Sequence, residues 1–220
     1  MHVAPIAAER HLGAGEVAAL LEAQRQESAA LLGGRLRVLN DGTVTALLVA
    51  PAAGSAWDLA AAARVDARGS HEVRTWERWA ASPEPAADER PRLTRDFVEM
   101  LVLDYLAANA LRRTVLLDRG QGRLLLDDNR EAFPQTTEQL AVDRLLQRLR
   151  PVARFPRGLA VALAAFDRER ARAALAPAGS FDGWLVSPRT LIELDERRAG
   201  LLSLILARAA ERGEAAVLSL

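Results

Sequence analysis

Two Asp-Gly-type turn signals, each set between β-rich runs, interrupt a chain otherwise patterned for helices, and this alternation restricts it to a mixed fold of the α+β class. The first is Asn40-Asp41-Gly42, between residues 35–39 and 43–49. The second is Asp118-Arg119-Gly120-Gln121-Gly122, between residues 114–117 and 123–126. Asp and Gly tolerate the left-handed backbone that a tight hairpin needs, so both stretches are read as hairpins. Pro51 closes the second strand.

Helical periodicity fills the rest. Over residues 15–32, Val17, Leu20, Leu21, Ala29, Leu31 and Leu32 alternate with Glu22, Gln24, Arg25 and Glu27, and Gly33-Gly34 stop the run. Residues 58–81 read as one or two helices, the later one near 70–81, with Trp76 and Trp79 on it. The stretch Ser-Pro-Glu-Pro-Ala-Ala-Asp-Glu-Arg-Pro that follows packs three prolines and four charges into ten residues, which reads as a linker. Beyond it helices are expected over 94–111, with Thr94 as the N-cap, then over 136–150, 156–175 and 188–212. The organisation expected is therefore a small lobe over 1–81, a linker over 82–92 and a mostly helical lobe over 93–220.

Composition excludes several kinds of chemistry. Half of the 220 residues are apolar, enough for a real core, and 29 basic residues balance 29 acidic ones. No global field therefore steers the molecule toward nucleic acid or an anionic membrane. The absence of cysteine rules out disulfides, thiolate catalysis and cysteine-ligated metals. No apolar run is long enough to cross a bilayer, and the N-terminus lacks a basic segment followed by an apolar one, so a cytoplasmic protein with no membrane partner is expected. All the cations are arginine and none is lysine, a bias that, with the abundant alanine, points to a GC-rich bacterial genome.

Candidate chemistry gathers around the second hairpin. Asp127, Asp128 and Asn129 follow its last strand, where oxygen ligands can converge on magnesium or manganese, although such a run also simply caps turns. Asn109, at the end of the preceding helix, stands where a second ligand would be needed. His2, His11 and His71 show no metal-ligand spacing, and no Gly-x-Ser-x-Gly elbow occurs. Between 144 and 157, Arg144, Arg148, Arg150, Arg154 and Arg157 carry five positive charges with no acid among them. Such a run can grip phosphate groups, but without interleaved aromatics it is read as a solvated face, and a nucleic-acid partner is not expected.

The order of these motifs resembles the Golgi casein kinase and four-jointed family of atypical kinases. In that family a helix bearing an aspartate, an aromatic and a leucine, then a Gly-Asn pair, runs into an Asp-Arg-His loop and a hairpin ending in Leu-Asp-Asn-Gly. Here Asp104-Tyr105-Leu106-Ala107-Ala108-Asn109 is similar to the first part, and Asp128-Asn129, with Phe133 beyond, to the second. Asp41-Gly42 through Val49-Ala50-Pro51 resembles the strand that carries the family's lysine, and Glu72, Val73 and Trp76 resemble the helix whose glutamate pairs with it. Residues 191–212 resemble the last helix. The resemblance implies a kinase-like fold, ATP with Mg or Mn as cofactor, Asp128 as a metal ligand, and Glu72, Asn109 and Arg112 beside the nucleotide.

The departures matter as much. Ala50 stands in place of the phosphate-binding lysine, and Leu111 in place of the catalytic aspartate. An alkyl side chain can neither clamp phosphate nor orient and deprotonate a hydroxyl. With both positions degenerate, the expectation is a pseudokinase that works by binding another protein, an active kinase or a second copy of itself. One rival is an active transferase with rewired residues, using Arg112 or Arg113 on phosphate, Asp104 or Asp127 as base and a metal on Asp128. The other is an α-rich binding domain whose motifs are coincidental, which helical segments in place of the hairpins over 35–49 and 114–126 would favour.

Overall fold

A computed structural model describes residues 6–12 and 44–49 as backbone, and residues 62–126, 129, 131–134, 136–174 and 187–220. Among them are strands β1 (Ile6–Leu12), β2 (Val44–Val49), β3 (Ala63–Asp66), β4 (Thr114–Asp118) and β5 (Arg123–Leu125). The helices are α1 (His71–Ala81), α2 (Pro91–Leu106), α3 (Gln139–Leu149), α4 (Arg157–Ala165), α5 (Arg168–Ala174), α6 (Pro188–Arg212) and α7 (Glu214–Val217). The chain divides into two compact units, Ala4–Ala56 with Pro177–Gly183, and Met1–Val3 with Trp57–Ala176 and Trp184–Leu220. The fold is mixed α and β, as the turn signals require.

In the first unit β2 pairs antiparallel with β1, from Leu12 opposite Val44 to Ile6 opposite Val49, with one irregularity between Ile6 and Ala8. The sequence reading does not anticipate β1, because an Ala-Ala-Glu-Arg-His run lacks the β-branched residues that mark strands, and only the partner strand makes it one. The expected strand over 35–39, the helix over 15–32, the turn Asp41-Gly42 and Ala50 lie outside the described residues.

The second unit is built on the second hairpin, which forms as expected: β4 pairs β5 from Leu116 opposite Leu125 to Asp118 opposite Arg123. On its other edge β4 takes β3, with Val65 opposite Val115. This corrects the reading of 58–81 as wholly helical, since alanine-rich sequence around Arg64-Val65 is drawn into extended form by an open strand edge and by burial of Val65. Helix α1 begins where expected, with the Ser70 hydroxyl accepting from the Val73 amide.

Helix α2 starts earlier than its sequence signal suggested. Pro91 occupies the first turn, where its missing N–H costs nothing, and Thr94 is an interior residue whose hydroxyl donates to the Arg90 carbonyl instead of capping. The helix is the spine of the unit. Phe97, Val98, Met100 and Leu101 are buried on it, the Trp76 ring meets Phe97 edge-on at 5.7 Å, and Leu201, Ile205 and Val217 pack into the same core. Asp96, also buried, accepts the Leu124 amide at 2.9 Å and so ties α2 to β5.

The stretch 82–92, read from sequence as a linker, lies within the second unit and is pinned there. Asp88 takes the Arg78 guanidinium and the Trp79 indole N–H, and Glu89 pairs at 2.6 Å with Arg154, both side chains almost fully buried. The single helix expected over 156–175 is two, α4 and α5. Phe166 turns extended, and Asp167 caps the new start by accepting the Arg170 amide at 2.8 Å. Helix α6 matches its expected span 188–212; Ser187 caps its start ahead of Pro188, and Gly213, whose φ of 88° only glycine adopts readily, follows its end. No helix among the described residues is long and apolar enough to cross a membrane.

Candidate functional site

The end of α2 sets the geometry. The helix is expected to run to residue 111 but stops at Leu106, because Ala108 takes a left-handed conformation at φ 52°. The Ala108 amide then reaches back to the Tyr105 carbonyl, and the Asn109 amide to the Asp104 carbonyl at 2.8 Å, a Schellman closure built on alanine in place of glycine. The Phe133 amide donates to the Ala107 carbonyl at 2.7 Å and joins the segment after the hairpin to this helix end.

Reversing the chain here brings Arg112 back over Asp104. Its Nε lies 2.9 and 2.8 Å from the two carboxylate oxygens and its Nη2 lies 2.7 Å from Oδ1. Both side chains are about 97–98 % buried, with exposures of 3 % and 2 %. Asn109 Nδ2 donates to the same Oδ1 at 3.4 Å, and Arg112 Nη2 also donates to Asn129 Oδ1 at 2.7 Å. Burial pushes the Asp104 carboxyl above its ordinary range, and hydrogen bonding and charge from Arg112 pull it back. With a guanidinium in fork contact we place the pair as an ion pair, since separation would leave a bare buried charge.

The sequence-derived residues therefore fall into two groups. Asn109 and Arg112 come together, joined by Asp104 and Asn129. Leu111 is 51 % exposed and lines the same cavity as Asn109 and Arg112. Glu72 is not brought to this cavity. It sits in the first turn of α1, where its carboxylate is 3.6 Å from Arg119 in the β4–β5 turn. Asp127, Asp128 and Ala50 lie outside the described residues, and among the described residues no three histidine or acidic side chains converge as a metal cage. His71, exposed at the start of α1, offers its carbonyl to Thr75.

The cavity has a volume of about 340 Å³. Arg68, Arg144 and Arg148 line it beside Arg112. Arg68, from the β3–α1 turn, donates Nε to the Arg112 carbonyl and Nη2 to the Ala110 carbonyl at 3.1 Å, holding the loop from outside. Sequence reasoning placed Arg144 and Arg148 in a single basic face. Their i,i+4 spacing on α3 was visible, but nothing local signals Arg68, which arrives from a different element. The rest of that basic run disperses: Arg154 is buried against Glu89, and Arg157 pairs with Glu214 at the surface.

No protein-family model matches the chain, and no curated protein matches it either.

Proposed function

We propose that the chain is a catalytically degenerate, kinase-like protein, a pseudokinase similar to the Golgi casein kinase and four-jointed family, which acts by binding another protein. The observation that carries this reading is the locked Asp104–Arg112 pair with exposed Leu111 beside it. A helix, a tight loop, a hairpin and Asn129 follow one another in the order the resemblance implies, while the position that would hold the base presents an alkyl chain to solvent. The rewired transferase is less well supported: Asp104 is enclosed by Arg112 and Asn109, so it cannot reach a substrate hydroxyl, and two donors of Arg112 are committed. A helical second hairpin would favour the coincidental-motif reading, and Thr114–Asp118 and Arg123–Leu125 are paired strands, which removes that support.

The test is label transfer from ATP with manganese or magnesium by the full chain, beside Asp128→Ala. The expected result is the same background for both proteins with any acceptor offered. Metal-dependent transfer that Asp128→Ala abolishes would overturn the proposal in favour of an active kinase.

A further inference from the structure

Arg68, Arg144 and Arg148 reach one cavity from two elements. Arg144 and Arg148 are four residues apart on α3, a spacing at which like charges repel and destabilise a helix. Arg148 is steadied from outside the cavity, by the Glu77 carboxylate at 3.2 Å and the Ala67 carbonyl at 3.4 Å, and Arg68 by two loop carbonyls. Arg144 has no ion pair among the described residues.

The charge in the cavity is unbalanced. Its lining holds four arginines, Arg68, Arg112, Arg144 and Arg148, against two acids, Asp104 and Glu138. Asp104 is already consumed by Arg112 and Glu77 pairs with Arg148, so Glu138 is left to face Arg68 and Arg144. Arg68 is positioned through Nε and Nη2, and Arg148 through Nη2, by their bonds to neighbours, and a positioned guanidinium is a strong donor to a tetrahedral oxyanion. Asn109 adds an amide, and the volume suits a small molecule. No aromatic side chain lines the cavity, which argues against stacked single-stranded nucleic acid.

We infer that the cavity bounded by Arg68, Arg144 and Arg148 is a binding site for the phosphate or pyrophosphate group of a small metabolite, and that it binds without a metal ion. The inference rests on the cavity alone and stands whether or not the chain is a pseudokinase. A metal-bridged nucleotide would need Asp128; this site needs only its guanidinium groups.

Isothermal titration of the full chain with inorganic pyrophosphate, and separately with inorganic phosphate, in EDTA at fixed ionic strength tests it. Saturable pyrophosphate binding is expected, weakened about tenfold or more by Arg144→Gln through loss of a charge-assisted contact, and unchanged by Arg150→Gln just past the end of α3 and outside the cavity. Arg144 is exposed, so its substitution leaves the fold intact, which a thermal melt of the variant verifies. Tighter binding of pyrophosphate than of phosphate would assign a diphosphate ligand, and the reverse a monophosphate. The proposal is overturned by no saturable binding of either anion, by equal loss in Arg150→Gln, or by binding that appears only with added metal.

Discussion

Asp104 and Arg112 close a fork-shaped ion pair across the end of α2, with contacts of 2.7 to 2.9 Å and both side chains out of solvent. The pair fixes the loop that carries Leu111. Removing one charge strands the other, a far larger loss than the pair's own net worth. Asp104→Asn is expected to destabilise the protein by about 3–5 kcal/mol, and Asp104→Leu with Arg112→Met by clearly less than the sum of its single substitutions. Urea unfolding of the four proteins measures this; additive losses would show that the contact does not couple the two residues.

Leu111 carries a different expectation. As an exposed loop residue it should accept Leu111→Asp with a stability change within about 0.5 kcal/mol. Under the proposed pseudokinase reading, a carboxylate added here alone should leave label transfer at background, because Ala50 supplies no cation to neutralise phosphate. A melt and a radiolabel assay on one preparation check both halves.

Within the basic run, burial separates structural arginines from decorative ones. Arg154 donates to Glu89, to the Ser82 carbonyl and to the Trp79 carbonyl from a site 2 % exposed. Arg154→Ala should cost about 3–5 kcal/mol, since it leaves Glu89 charged and buried. Arg157 makes an ion pair of similar length to Glu214, but both side chains are more than half exposed, and Arg157→Ala should cost at most about 1 kcal/mol. Comparable losses at the two sites would contradict the burial argument.

The start of α6 supplies a pH-dependent test. A hydrogen bond from Arg189, then one from Thr137, holds the Glu193 carboxyl below its ordinary range. A carboxylate favoured in the folded state adds stability above its unfolded pKa and loses it as pH falls through the lower folded value. Glu193→Gln should therefore melt lower than the parent at neutral pH, by the few tenths of a kcal/mol typical of partly exposed pairs, with the gap closing below about pH 4. A gap that persists in acid would assign the effect to packing.

Caps give the last prediction. The Ser187 hydroxyl accepts the Thr190 amide at 3.1 Å at the head of the longest helix among the described residues. Ser187→Ala should cost about 1 kcal/mol, read as a lower urea midpoint with an unchanged slope.

Several features were legible because their causes are local. Asp118 to Gly122 form a hairpin through backbone preferences that act within a few residues, and the expected span 188–212 is that of α6. Where a distant partner decides, the local pattern misleads. Residues 63–66 look helical and are a strand because β4 offers an edge. Thr94 looks like a cap and is not, because Pro91 starts the helix first. Ala108 gives no glycine signal, yet takes the left-handed conformation that ends α2 while its side chain packs into the core.

The sequence by itself determined the mixed class, the second hairpin and the main helices, since turn and periodicity signals need only neighbours along the chain. Only the tertiary structure decided which charges meet. It buried Arg112 on Asp104, sent Glu72 to Arg119, withdrew Arg154 to Glu89 and gathered Arg68 with Arg144 and Arg148 around one cavity. A guanidinium reads the same in sequence whether solvated, paired or poised for an anion, and the difference lies in desolvation and in partners as far as 91 residues away along the chain.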